Sequence, residues 1–507
     1  MKVRLAMLVY ATMALARPFG IIAQPEPPRS TIQEADPEAR AAAFQARAFV
    51  AMNRGDLPEA ERLLREQLAL DPDNFVVFYN IACVRSLRGE GADACDWLVK
   101  AIEHGFIDRG MMQRDPQLAA ARRQDVYSRL MAGWQTIIER HMETNLRVTR
   151  EAITTKATTY STERDQRLRV AYLSAFDKTS FDQARADLSR LFDWGIASVF
   201  PELGDAAAST DDAWTVVLLP TPRDYTKWLR NTYGPSLAAA GIGGSYLHDQ
   251  KRLVAQDLGA TLRHEFFHVL HWRSATRLGQ DHPIWIQEGL CSLVEDYEIA
   301  PGGEGAAALK PVPSWRTNIV KRLLQSGRLM PLKQLATMPR ERFTSTNPLA
   351  NYAQARAFFL FLHDAGKLKD WYAAYTRNYR TDPTGIAAAE AALGKELPKI
   401  EKDYRAWIKR LPMVAEQIKP GRAGLGVEVD PGAGDGPTIA EIPPRGSAAR
   451  TGGLRLGDAI TAINGRPTRD LNELVRILGE HEIGDEVEVS YRRGKKHETT
   501  RVKLGPR

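Results

Sequence analysis

Residues Leu262-Arg263-His264-Glu265-Phe266-Phe267-His268-Val269-Leu270-His271 contain the spacing His264-Glu265-x-x-His268. On a helix, residues four apart share a face, so both imidazoles can address one ion. Leu262, Phe266, Val269 and Leu270 supply an apolar face at helical spacing, which predicts a helix packed on a core. Glu265 adjoins the first imidazole, where a carboxylate can reach a water held by the same ion. Paired histidines with an acid beside them point to a zinc-dependent hydrolase.

Working outward, a candidate third ligand stands 20 positions after His268. It is Glu288, in Trp285-Ile286-Gln287-Glu288-Gly289-Leu290. At this point the sequence resembles the gluzincins, metallopeptidases in which a second helix carries a glutamate zinc ligand. The likeness extends over Arg167 to Leu411 and is specific over Leu262 to Glu295. The metzincin pattern would need Gly at 271 and His at 274, where this chain has His271 and Ser274. The resemblance implies an α+β zincin-like domain holding Zn2+ on His264, His268 and Glu288. Two neutral imidazoles and one carboxylate leave a fourth position open to water, whose pKa falls to about 7 on the metal. Glu265 is then the general base, passing the proton to a leaving amine.

Further expectations follow from the same likeness. Gluzincins often place an acid one turn after the glutamate ligand; Ser292 stands there, and Glu295, two turns along the same helix, is the candidate to take its place, with a surface role as its other reading. Tyr352 resembles the tyrosine that hydrogen-bonds the oxyanion, with core packing as its other reading. His248, His271 and His282 are candidates for polar contacts near the cleft or for packing. Ser245-Tyr246 is expected to border the substrate groove as an edge strand, where extended peptides add a strand. Cys291 reads as a buried thiol.

The chain has 507 residues, 44% hydrophobic and 26% charged, with a formal net charge of +7. That length exceeds one core and predicts a multidomain protein. The Lys and Arg residues are scattered, so nucleic acid is not an expected partner. The one cluster, Arg492-Arg493-Gly494-Lys495-Lys496, reads as a charged hairpin turn. Three cysteines argue against a disulfide framework. Cys83 and Cys95 read as buried helix residues, with a single bond between them as the alternative.

Residues 1–23 read as a signal peptide: Lys2 and Arg4, then an apolar run from Leu5 to Ala16 too short to span a bilayer. Ala14-Leu15-Ala16 and Ile21-Ile22-Ala23 are alternative cleavage sites. A periplasmic or secreted location without stable membrane insertion is expected. Residues 24–38 form a Pro- and Glu-rich linker. Over 39–157, Gly55 and Gly89, Ala60 and Ala94, Leu64 and Leu98, and Ala48 and Ala82 are each 34 apart. With Asp71-Pro72 closing the first unit, this resembles the tetratricopeptide repeat, an all-α region. The stretch at Asp115 reads as a degenerate third unit. The resemblance implies a surface for a protein partner or a scaffold packed on the catalytic domain, 158–412.

Residues 420–507 are Gly-rich and strand-patterned: Gly424-Leu425-Gly426-Val427, Gly453-Leu454-Arg455-Leu456-Gly457-Asp458 and the turn Ile463-Asn464-Gly465, then a helix at Leu471 to Leu478. This succession resembles PDZ domains of bacterial envelope proteases, which are mostly β. The likeness implies that Leu425, Gly426 and Val427 receive a peptide's terminal carboxylate, with the peptide lying between a strand and that helix. The Gly-rich insert Asp430 to Pro437 departs from the tightest members and is expected near the groove's rim. Together these features predict an envelope zinc peptidase acting on peptide or protein substrates. The competing expectation is a non-catalytic scaffold that binds partners through its repeats and PDZ domain.

Overall fold

The computed structural model describes residues 37–155, 158–204, 212–233, 244–247, 250–299, 309–444 and 447–506. The expected signal peptide, most of the linker, Gly241 to Gly243, His248 and Gly446 lie outside them. The chain is multidomain. Among the described residues no helix is long and apolar enough to cross a membrane.

Helices α1 (Pro37–Asn53), α2 (Leu57–Leu70), α3 (Phe75–Leu87) and α4 (Gly91–Glu103) form two successive pairs. Gly55 and Gly89 take left-handed φ of +76° and +83° between the members of each pair, where a side chain would be strained. Ala48, Ala60, Leu64, Ala82, Ala94 and Leu98 are all buried at the crossings. The stretch at Asp115 is not a regular helix pair. After α5 (Arg109–Arg114) it makes two short 3-10 turns, and buried Asp115 accepts a 2.8 Å bond from the Tyr79 hydroxyl. Then come α6 (Asp125–Ala132) and α7 (Trp134–Ile153).

The central sheet contains β1 (Ser161–Asp165), β2 (Val170–Ser174), β3 (Trp214–Leu218), β4 (Gly244–Leu247) and β5 (Arg252–Ala255), in the order β1-β2-β3-β5-β4. β2, β3 and β5 are parallel, while β1 and β4 pair antiparallel at the two edges. Strands β2 and β3 are buried along their whole length, so they read as unbroken apolar runs rather than alternation. Period-2 geometry divides their side chains. Ala171, Leu173, Val217 and Val254 meet Met142 and Leu146 of α7 and Tyr225, Trp228 and Leu229 of α9 (Pro222–Tyr233). Tyr172, Val216, Leu218 and Leu253 face the opposite core, with α8 (Lys178–Ser198), α10 (Ala260–Leu278) and α11 (Ile284–Leu293).

After α11 comes the hairpin β6 (Tyr297–Ile299) and β7 (Leu309–Pro311). The helical remainder is α12 (Trp315–Gln325), α13 (Leu332–Ala336), α14 (Arg340–Ser345), α15 (Pro348–Asp364), α16 (Leu368–Arg377), α17 (Ile386–Leu393) and α18 (Leu397–Arg410). The sequence predicts one helix over Ile284 to Tyr297, but α11 stops at Leu293, and Tyr297 begins β6. Buried Arg356 of α15 explains the stop: it donates to the carbonyls of Ser292 (2.8 Å) and Val312 (2.7 Å), which ties the helix end to the following loop.

The C-terminal domain has β8 (Ala423–Gly424), β9 (Glu428–Ala433), β10 (Gly436–Glu441), α19 (Ala448–Thr451), β11 (Ala459–Ile463), β12 (Arg466–Pro467), α20 (Leu471–Leu478), β13 (Glu486–Arg493), β14 (Lys496–Lys503) and β15 (Gly505–Pro506). Its main sheet runs β14-β13-β11-β10-β9, leaving β9 at an edge. The basic cluster turns between β13 and β14, with Gly494 at φ +62°. Cys83, Cys95 and Cys291 are free and buried.

Candidate active site

Helix α10 follows β5 after the loop Gln256 to Gly259 and ends at Gly279, whose φ of +65° is the left-handed cap glycine favours. Its first-turn amides are met by Asp257, which accepts from Gly259 (2.8 Å) and Thr261 (3.2 Å). Helix α11 crosses α15 at Gly289, where an added Cβ would lie 2.5 Å from the Phe359 ring. Glycine at that position lets α11 bring Glu288 up to α10.

The structure brings His264, His268 and Glu288 together, one ligating atom of each within 4.8 Å of the others. The two Nε2 atoms are 3.2 Å apart. Glu288 Oε2 lies 3.3 Å from His264 Nε2 and 3.5 Å from His268 Nε2. A tetrahedral ion with bonds of ~2.0–2.1 Å holds its ligand atoms about 3.3 Å apart, so this donor set fits zinc without rearrangement. Burial opposes ionisation of Glu288, but the two imidazoles hold its carboxyl well below the usual range.

The support behind the triad is also anionic. His264 Nδ1 meets Glu295 Oε1 at 2.9 Å, which leaves Nε2 for the ion. Arg316, in the first turn of α12, grips Glu295 through Nε (2.5 Å) and Nη2 (2.8 Å). Burial raises the Glu295 carboxyl, but Arg316 and His264 more than offset it and bring it to about 2. Glu295 thus reaches His264 from the turn after α11, not from two turns along the same helix, because α11 has already ended. Burial disfavours the His264 cation, yet the bonds to Glu288 and Glu295 raise it to about 10. Ser292 is fully buried.

Glu265 is half-buried, and burial pushes its carboxyl up while the two imidazoles pull against the rise. Edge strand β4 passes directly over it. A Cβ on Gly244 would fall 2.6 Å from Glu265 Cγ and 2.7 Å from Oε1. The Tyr246 ring lies 5.3 Å from His268 and stacks on Trp214 at 5.0 Å. Tyr352 is half-buried on α15, packed on Phe343 (5.3 Å) and 5.8 Å below the Arg316 guanidinium. Burial raises its hydroxyl, and the nearby Glu288 and Glu265 carboxylates raise it further. His271 and His282 pair with each other at 2.7 Å, both buried beneath the triad. Arg316 and Gly244 carried no signal in the sequence that marked them as part of a site.

In the C-terminal domain Leu425 is buried, and its carbonyl accepts from Ala449 N at 2.8 Å. Gly426 has φ +66°, and Val427 packs at the edge of the core. The insert Asp430 to Pro437 spans the β9–β10 turn, whose tip docks at Pro220 and Leu258. The PDZ domain family matches residues 423–504.

That segment is a PDZ domain. Protease Do-like 8, chloroplastic, of Arabidopsis thaliana is 27% identical over 114 residues, 19% of this chain and 25% of that protein. The chain therefore spans a quarter of that relative's length. Among solved structures, a serine endoprotease from Yersinia pestis is 16% identical, with 22% of this chain and 37% of that one covered at a TM-score of 0.15. The HtrA-type protease AlgW with decapeptide is 20% identical, covering 22% and 36% at a TM-score of 0.16. An aminopeptidase N family protein from Idiomarina loihiensis is 13% identical, covering 69% and 67% at a TM-score of 0.28. Helix α20 packs on β10, β11 and β12, and its Leu474, Ile477 and Leu478 are buried in the domain's core.

Proposed function

We propose that the chain is a zinc-dependent peptidase of gluzincin type, with His264, His268 and Glu288 holding the ion. The observation that carries this reading is the mutual spacing of the three donor atoms, 3.2 to 3.5 Å, with Glu265 beside them. Zinc bound there supplies Lewis acidity, polarising a peptide carbonyl and acidifying the attacking water. Glu265 takes the proton of that water and delivers it to the leaving nitrogen. Tyr352 supports the oxyanion through its hydroxyl, which burial and then the neighbouring carboxylates keep protonated. Glu295 and Arg316 hold the His264 ring in place.

The substrate lies extended along β4, an edge strand of the sheet, as an added antiparallel strand. Gly244 keeps that edge close to Glu265. The PDZ domain recruits a peptide C-terminus at Leu425, Gly426 and Val427, with β9 as the strand to which it adds. The N-terminal helix pairs, read as tetratricopeptide-like repeats, serve a protein partner, and the site of action is the bacterial envelope. Purified chain is expected to carry about one zinc and to cleave a mixed peptide pool. Glu265→Gln is expected to retain zinc and lose turnover by a factor on the order of 10²–10⁴. Full activity in Glu265→Gln, measured by mass spectrometry of the pool, removes Glu265 from the chemistry.

A further inference from the structure

The PDZ domain is fastened to the approach and first turn of α10, just ahead of the ligand His264. The β9–β10 tip inserts first: Leu258 N donates to Gly434 O (2.8 Å), and Gly434 N donates to Pro220 O (2.9 Å). A Cβ on Gly434 would lie 2.4 Å from the Gln256 carbonyl oxygen and 2.9 Å from Asp257 Cα. Only glycine allows this approach. Asp470, the residue that caps α20, also accepts from Ala260 N at 3.4 Å. Three residues after that cap, Glu473 Oε1 accepts from Arg263 Nη2 at 2.7 Å.

Arg263 is 1% exposed. Besides Glu473, its guanidinium donates to the carbonyls of Val294 (3.3 Å) and Glu295 and lies over the Tyr297 ring at 5.0 Å. A continuous path results. Glu473 holds Arg263, Arg263 holds the backbone of the turn after α11, and the Glu295 carboxylate in that turn holds His264 Nδ1.

We propose that Glu473 is a positioning residue for the metal triad, so that the PDZ domain is a fixed support of the site rather than only a recruiting arm. The inference rests on the metal-site reading above. A guanidinium with carbonyl partners alone would be an uncompensated buried charge, and its rigid fork needs a carboxylate to fix its plane. With Glu473 in place, Arg263 keeps the turn still and the Glu295 carboxylate stays on His264. Without it, Arg263 turns toward another acid, and the Glu295 to His264 bond loosens.

The test uses the full chain and zinc alone as the probe. Zinc affinity is measured by competition with a chelator, and coordination by the visible spectrum after cobalt substitution. Glu473→Gln removes the charge at the centre of the path. Gly434→Ala wedges the same interface apart from a position outside the PDZ core. Loss of ligand-supporting partners weakens metal sites by about 10–100-fold, so Glu473→Gln is expected to cost roughly tenfold in zinc affinity and to alter the cobalt spectrum. Gly434→Ala is expected to shift both in the same direction by a smaller factor. If both variants keep their melting transitions and bind zinc within about twofold of wild type, the proposal is overturned. Should Glu473→Gln lose the PDZ transition, Gly434→Ala decides alone. A wild-type chain that takes up no zinc overturns the metal-site reading and this inference with it, whereas wild-type binding matched by the variants overturns this inference only.

Discussion

Two imidazole pairs are built on α10, less than one turn apart at His268 and His271, the second completed by His282 from the loop before α11, and their surroundings give them opposite characters. His264 and His268 converge on Glu288 Oε2, with Glu295 behind the first ring. His271 and His282 face each other at 2.7 Å, with Gln280 Oε1 2.9 Å from the far nitrogen of His282. Phe200 stacks on His271, and Tyr375 meets His282 edge-on. The hydrogen-bond network assigns His282 Nε2–H to Gln280 and leaves Nδ1 to accept from His271. Carboxylates raise His264 to about 10 against the opposing effect of burial, whereas burial alone lowers His282 to about 3. The residue type is shared, and three of the four rings stand on α10. Acidic partners and three converging donor atoms fit the first pair to a cation, and a neutral polar cap makes the second a satisfied part of the core.

The largest effect that sharpens this contrast is expected at Tyr352. Its change to Phe should lower kcat by a factor on the order of 10² with zinc content unchanged. Unchanged kinetics would return Tyr352 to a packing role. Next comes Glu295→Gln, which should weaken zinc binding about 10–100-fold, read by chelator competition. Equal affinity would detach the Glu295 and Arg316 pair from the site. The smallest effect on the metal is expected at the second pair: His282→Gln should leave zinc affinity unchanged and cost about 1–3 kcal/mol of stability in denaturant titration. The same pair sets a pH dependence. His282 titrates near 6.5 when unfolded and near 3 when folded, so the unfolded chain binds more protons between those values. The contribution of His282 to stability should therefore fall as pH drops through that window and level off above it. A flat profile in wild type, or one unchanged in His282→Gln, would contradict the neutral pair.

Local periodicity made several elements legible in the sequence. Helix α20 at Leu471–Leu478 matches the expected span, because the Asp470 cap fixes its start. The four-residue spacing placed His264 and His268 on one face. Strand β1 gave no comparable sign: Ser161–Asp165 is polar and mostly exposed, and it exists through pairing with β2. Glu295 could be nominated from its spacing, but the end of α11 depends on Arg356, 64 residues after Ser292 in the chain. The contact between Arg263 and Glu473 crosses 210 positions, and no local pattern announces it. Gly244 belongs to no motif read above, and its lack of a side chain serves the close approach to Glu265.

X-ray absorption at the zinc edge, on wild type and Glu288→Gln, addresses the triad most directly. The expected wild-type spectrum shows one bound zinc with two imidazole nitrogens and a carboxylate oxygen at ~2.0–2.1 Å, and Glu288→Gln loses the oxygen contribution or the metal itself. Zinc absent from folded wild type, or an identical spectrum in Glu288→Gln, would contradict a site built from His264, His268 and Glu288.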